Sequence, residues 1–379
     1  MSGALEKLLW HYQHRSAEAR EQHKAGVPVV GFTSNTVPWE LIRAAGCFPV
    51  LIGPDLDVFE KPAPFADSLM EPVFDSRIRA IFHDILSGAW SFLRLLIIPR
   101  TSEPEYKLYL YLREVGRQNP ELPIPPVYLY DLLHARSSET YSYGLERTLC
   151  LKRQLEELTG KPIDNAAILQ AIKESNAARR VVRKLLCLRQ LEPRVSGAEA
   201  LALIGSFFCM SRDEYAFLVE KAVKLIEQRN PLSGIRILIT GASLNHRGLH
   251  QALERHGAVV VAEDNWWGSR SAGKDIDEGS DDLIMAIFEK HYLDTPSPRL
   301  FPFEIADAWF HQASNDGIDA VVFYLPPEDC VAGWDYPRRR RYLDEKRIPH
   351  FLLREDASSI SAECHERIGK FVRSIRVGR

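Results

Sequence analysis

Three short stretches place hydroxyls, carboxylates or aromatic rings where the chain is expected to turn. In "LLIIPRTSEP", residues 95–104, branched aliphatic residues run into Pro99, and Arg100, Thr101, Ser102 and Glu103 follow together. Ligands of open α/β sheets sit at the carboxyl ends of strands. A hydroxyl and a carboxylate at such a tip suit hydrogen bonding or acid–base work. "TSNT", Thr33, Ser34, Asn35 and Thr36, lies between an apolar run and a helix start. Backbone N–H groups and hydroxyls there can hold a phosphate or a carbonyl oxygen, and a plain polar turn explains the stretch equally well. In "EDNWWGSR", Trp266 and Trp267 could wall an acyl or adenine pocket, and Arg270 could pair with a carboxylate or phosphate. Packing between units accounts for one of the two tryptophans.

Other candidates carry less. His246 and His250 stand four apart on one helix, as metal-binding pairs do, but no third ligand lies near them in sequence. Arg338 to Arg341 are four consecutive helical residues that point in all directions, which suits a solvated face. Arg179, Arg180, Arg183 and Lys184 share one side of a helix, fit for an anion, a partner or solvent. The cysteines Cys47, Cys150, Cys187, Cys209, Cys330 and Cys364 show no CxxC spacing. They read as reduced thiols, not as disulfides, a zinc site or a ferredoxin-type cluster.

The elements that position these residues follow from pattern. "VPVVGFTS", "FPVLIG", "RLLIIPR" and "PPVYLYD" are strands alternating with helices, one of them from about Asp75 to Leu86. Residues 1–26 form a helix expected to pack on a helical domain. Residues 27–137 make a first α/β domain, 138–232 the helical domain and 233–379 a second α/β domain. In the helical part Asp164 and Ser211 are placed to cap helices. The second unit repeats the alternation with "IRILITGAS", "AVVVAEDNWW", "AVVFYLP" and "PHFLLRED". The fold class is therefore α/β: two Rossmann- or flavodoxin-like units with four-stranded parallel sheets, plus helices.

A chain of 379 residues with 45% hydrophobic and 26% charged residues is long enough for two or three cores. A formal net charge of −3 argues against a nucleic-acid binder. No apolar run suits a signal peptide or a membrane span, so a cytoplasmic protein is expected.

Three segments in order resemble the 2-hydroxyacyl-CoA dehydratase subunit family, to which benzoyl-CoA reductase subunits also belong. They are "VVGFTSNTVPWELIRAAGCFPV", "LERTLCLKRQLEELTGKPIDNAAILQAIKESNAARR" and "DGIDAVVFYLPPEDCVAGWDYPRRRRYLDEKRIPHFLLRED". The resemblance runs from residue 27 onward. It implies two similar subunits in a complex, a CoA thioester substrate, and a [4Fe–4S] cluster held by three cysteines between two α/β domains. An activator driven by ATP would feed the cluster one electron at a time.

The resemblance places those three cysteines at Asp75, Ser102 and Asp329, with Cys330 available only if its loop slips by one residue. Oxygen donors match a hard cation better than iron–sulfur chemistry. Two readings stand for Asp75, Ser102 and Asp329: a site converted to acid–base catalysis, or a lost cluster site in which Asp75 simply caps its helix. The resemblance also tips "TSNT" toward substrate contact. The expectation is a subunit that shapes an acyl-CoA site, holds no metal or cluster of its own, and pairs with a homologous cysteine-bearing subunit. A cluster-free acyl-CoA hydratase or lyase, and a purely structural partner, are the rivals. Neither nucleic acid nor membrane is expected as a partner.

Overall fold

The computed structural model describes residues 3–53, 63–294, 302–329, 331–357 and 360–377. Cys330 lies outside the described residues. Apolar runs without polar interruption make strands covered on both faces. In the first unit β1 (Val29–Phe32), β2 (Phe48–Leu51) and β3 (Leu95–Pro99) are buried throughout, and β4 (Val127–Tyr130) only in part. They form one parallel sheet in the order β2-β1-β3-β4. In the second unit β5 (Ile235–Gly241), β6 (Ala258–Glu263), β7 (Ala320–Tyr324) and β8 (His350–Leu353) repeat the order as β6-β5-β7-β8. Both orders reverse between their two central strands, so each sheet has a switch point with a crevice at its carboxyl end.

The helices in chain order begin with α1 (Gly3–Gln13), α2 (Ala17–Lys24), α3 (Trp39–Ala44), α4 (Pro64–Leu69), α5 (Ser76–Leu86) and α6 (Glu103–Gln118). Between the sheets run α7 (Ser138–Thr159), α8 (Asn165–Gln190), α9 (Gly197–Gly205) and α10 (Arg212–Ile226). The second unit adds α11 (Gly248–Arg255), α12 (Leu283–Glu289), α13 (Phe303–Asn315), α14 (Ala332–Lys346) and α15 (Ala362–Val377). The N-terminal segment breaks into two helices because Arg15 turns inward and is buried, leaving Ser16 at the N-cap position of α2. Ser211 holds the N-cap position of α10 without a side-chain cap, whereas Asp164 caps α8 through the Ala167 N–H. Helix α7 stops at Gly160, whose φ of 68° suits a residue without Cβ.

Core packing fixes the sheet ends. Leu96, Ile97 and Ile98 of β3 are fully buried, each contributing roughly 1.5–3 kcal/mol. Gly241 ends β5 at φ 118°, and a Cβ there would collide with the Tyr324 carbonyl oxygen. Only glycine lets β5 and β7 close so tightly at the end that faces the cleft.

Two buried ion clusters tie the units to the long helix α8. Glu40, at the start of α3, meets Arg179 Nη2 at 2.5 Å and His291 Nε2 at 2.8 Å. His291 also turns Nδ1 toward the Asn35 carbonyl at 3.0 Å. Glu263, ending β6, pairs with Arg189 and lies 2.9 Å from His250 Nε2. Arg179 and Arg189 stand about 15 Å apart along α8, one arm for each sheet. Burial alone would raise both carboxyls. The basic neighbours outweigh it, holding Glu40 well below the carboxylate range and Glu263 at about 2.

Candidate functional site

The cleft is built from helix starts that follow strand ends. Asp75 precedes α5, and its Oδ1 accepts the Ile78 N–H at 2.8 Å. Ser102 precedes α6, and its Oγ accepts the Glu105 N–H at 3.4 Å. Asp329 follows β7, and its two oxygens accept the N–H groups of Ala332 at 3.2 Å and Gly333 at 2.6 Å. Short polar side chains sit at these places because the first N–H groups of a helix lack internal partners.

Contacts run from one unit to the other at this cleft. The Ser76 N–H approaches Glu328 Oε1 at 3.3 Å, and Ser76 Oγ donates to Asp356 Oδ2 at 3.0 Å. Glu328 is the chain neighbour of Asp329, so the starts of α5 and α14 stand close together. The charges of Asp356, Glu328 and Asp75 all reach the buried Tyr324 hydroxyl. Burial first, then those carboxylates, push its ionisation far above the usual range.

Glu105 is the residue that sequence reasoning passed over. It is 2% exposed, and its Oε2 accepts the Ser102 hydroxyl at 3.1 Å. Arg77 Nη2 stands 3.6 Å from Oε1, and Arg77 Nη1 donates to the Thr33 carbonyl at 3.3 Å. Burial pushes the Glu105 carboxyl upward and the Asp75 charge adds to the rise. Arg77 and the hydroxyls of Thr33 and Ser102 oppose it. The sequence carries a Ser-x-x-Glu capping-box pattern at Ser102-Glu103-Pro104-Glu105, but not the burial of its carboxyl.

The other candidates fall in different surroundings. Thr33, Ser34, Asn35 and Thr36 are all buried, and Thr36 Oγ1 lies 2.6 Å from Thr101 Oγ1. That loop is a packed floor beneath the cleft. Trp266 and Trp267 are both buried against Phe208, with ring centroids 5.2 Å and 5.1 Å away. The Trp267 ring also carries the Arg15 guanidinium at 5.0 Å. Arg270 pairs with Asp264 at 2.9 Å. Of the arginine runs, Arg339 is buried against Asp264 and Asp307, and Arg180 and Arg183 are engaged with Asp275. His250 belongs to the Glu263 cluster, and burial lowers His246 to about 4. A cavity of about 230 Å³ beside Cys47, Arg43 and Ser211 opens at the start of β2, the sheet end away from the cleft.

A [4Fe–4S] cluster needs thiolates. Asp75, Ser102 and Asp329 offer oxygen, and each is already used as a cap, so this donor set does not fit one. Cys47, Cys209 and Cys364 lie elsewhere in the fold, and burial pushes each thiol up to about 11. Cys150 sits in α7 and Cys187 in α8. Among the described residues, no group of three His, Cys, Asp or Glu side chains could hold a metal ion. Nor is any described helix long and apolar enough to cross a membrane.

Two four-stranded parallel sheets of the same strand order, with helix starts and strand ends facing one cleft, define a class: two-unit α/β proteins. The particular family follows from comparison. The family model for the 2-hydroxyglutaryl-CoA dehydratase D-component matches residues 35–375, and the chain belongs to that family. It is 25% identical to the beta subunit of (R)-2-hydroxyglutaryl-CoA dehydratase from Acidaminococcus fermentans, covering 93% of this chain and 94% of that one. It is 24% identical to the beta subunit of lactoyl-CoA dehydratase from Anaerotignum propionicum, over 91% of each chain. A benzoyl-CoA reductase subunit from Thauera aromatica is 22% identical, with 97% of this chain and 96% of that one covered.

Proposed function

We propose that this chain is one subunit of a 2-hydroxyacyl-CoA dehydratase or benzoyl-CoA reductase-like complex, shaping the acyl-CoA site without ligating a cluster of its own. The redox centre resides in a homologous partner that has the cysteines. The observation that carries this reading is the use of Asp75, Ser102 and Asp329 as helix caps at the positions where the resemblance places thiolates. Soft donors are replaced by hard ones at all three places at once. The related chains are named as subunits of enzymes acting on CoA thioesters, which supports both the substrate class and the partner.

In this reading the chain's own residues position and exclude. The Thr33–Thr36 floor and the Glu40 cluster give the cleft a rigid base. Ser76, Glu328 and Asp356 hold the two units together at its edge. Ser102, half-buried at the start of α6, is a hydroxyl with access to a ligand.

A second reading has one observation in its favour. Glu105 is a buried carboxyl that holds its proton above the usual range, as a general acid does. A cluster-free hydratase or lyase would use it with Asp75. Co-expression with a cysteine-complete homologous subunit separates the two. The first reading expects a stable pair whose acyl-CoA dehydration requires both chains. If the isolated chain hydrates an enoyl-CoA and Asp75→Asn abolishes that activity, the second reading replaces it. A chain that neither pairs nor turns over any acyl-CoA sinks both.

A further inference from the structure

Ser102 and Glu105 face each other across 3.1 Å, and a hydroxyl has a single hydrogen to give. Ser102 Oγ already accepts the Glu105 N–H as a cap. When Glu105 is ionised, its Oε2 can only accept, so the Ser102 hydrogen is spent on it. When Glu105 carries a proton, the direction reverses. Glu105 then donates to Ser102 Oγ, which becomes a double acceptor and keeps its own hydrogen for the cleft.

We propose that Ser102 donates a hydrogen bond to the carbonyl oxygen of a bound acyl-CoA thioester, and that Glu105, as a positioning residue, decides by its own proton whether that donor is free. This rests on the reading of the chain as an acyl-CoA subunit. The geometry supplies the switch: Glu105 is sealed from solvent while Ser102 is half-exposed. Its surroundings keep the proton within reach of titration. Asp75 disfavours the ionised form, whereas Arg77 from α5 and the hydroxyls of Thr33 and Ser102 favour it. Across the cleft, Glu328 and Asp356 face Ser76, the chain neighbour of Asp75.

The test uses the full chain with two probes, butyryl-CoA and S-butyl-CoA, a thioether that lacks the carbonyl. The expected result is a roughly tenfold tighter binding of butyryl-CoA, the size of one hydrogen bond, at pH values where Glu105 is protonated. The preference disappears as pH rises through the Glu105 titration. Glu105→Gln cannot titrate; with its amide oxygen turned to Arg77, which stands beside Glu105 Oε1, its N–H donates to Ser102 and the preference persists at every pH. In Ser102→Ala it is absent at every pH. Asp75→Asn removes a neighbouring negative charge, so the preference fades at a lower pH than in the parent. An infrared carboxylic-acid band that survives above the ordinary carboxylate range, and is lost in Glu105→Gln, reports the proton without any ligand.

Equal binding of the two probes at all pH overturns the proposal and leaves the acyl-CoA reading standing. So does a Glu105→Gln profile identical to the parent's, or an absent infrared band. Failure of both probes to bind overturns the proposal together with the claim that this chain contacts the substrate; the pairing of subunits is then judged separately by co-expression.

Discussion

At the scale of single residues, the cleft shows how one set of side chains can be structurally occupied and still chemically open. Asp75 gives one oxygen to a helix N–H group and Asp329 gives both, while each carboxylate keeps further lone pairs. Replacing Asp329 by Ala should cost about 1 kcal/mol of unfolding free energy, measured by urea denaturation, and Asp329→Asn should cost much less. Equal losses for the two would remove capping as the explanation. Glu105 gives a second signature. Its folded-state ionisation is raised, so the folded chain binds more protons than the unfolded chain just above the ordinary carboxylate range. Stability from this group is complete below that range and is lost as pH rises through its titration in the fold. Glu105→Gln should flatten that part of the curve of unfolding free energy against pH. The sequence displayed Ser102 plainly, because it ends an apolar run. It concealed Glu105, because nothing in a Ser-x-x-Glu pattern tells whether the carboxylate stays in solvent or is buried by α5.

At the scale of elements, α8 does the aligning. Its Arg179 and Arg189 enter different units and meet Glu40 and Glu263, both without exposed surface. Breaking one such pair leaves a buried charge alone, so Arg179→Met should destabilise by roughly 3–5 kcal/mol, read by chemical denaturation. Glu263 has a depressed ionisation, so its contribution is present above the ordinary carboxylate range and is lost as pH falls toward about 2. Acid unfolding of Glu263→Gln should therefore begin from a lower stability and show a shallower dependence in that window. Strands were legible because buried parallel strands carry unbroken branched aliphatic runs, as in Leu95 to Pro99. The break between α1 and α2 was not, because it depends on Arg15 finding Trp267 and the Asn245 carbonyl far along the chain. The arginine pattern of α8 misled for the same reason: Arg179 looked like surface charge until its partner Glu40 was placed beside it.

At the scale of the whole molecule, two sheets with the same strand order face one cleft, and the family match spans residues 35–375. Order and spacing of the three segments made that family readable although relatives share only about a quarter of their residues with this chain. What the cleft does in the complex rests on its donors, and there the chemistry of oxygen against sulfur decides. The most direct test is anaerobic purification of this chain alone and together with the cysteine-bearing partner proposed for it, with iron and acid-labile sulfide measured for each chain. The account predicts a colourless chain free of stoichiometric iron and sulfide, and a paired complex whose entire cluster content resides in the partner. A brown isolated chain holding four iron and four sulfide per polypeptide, as a [4Fe–4S] cluster requires, would contradict it.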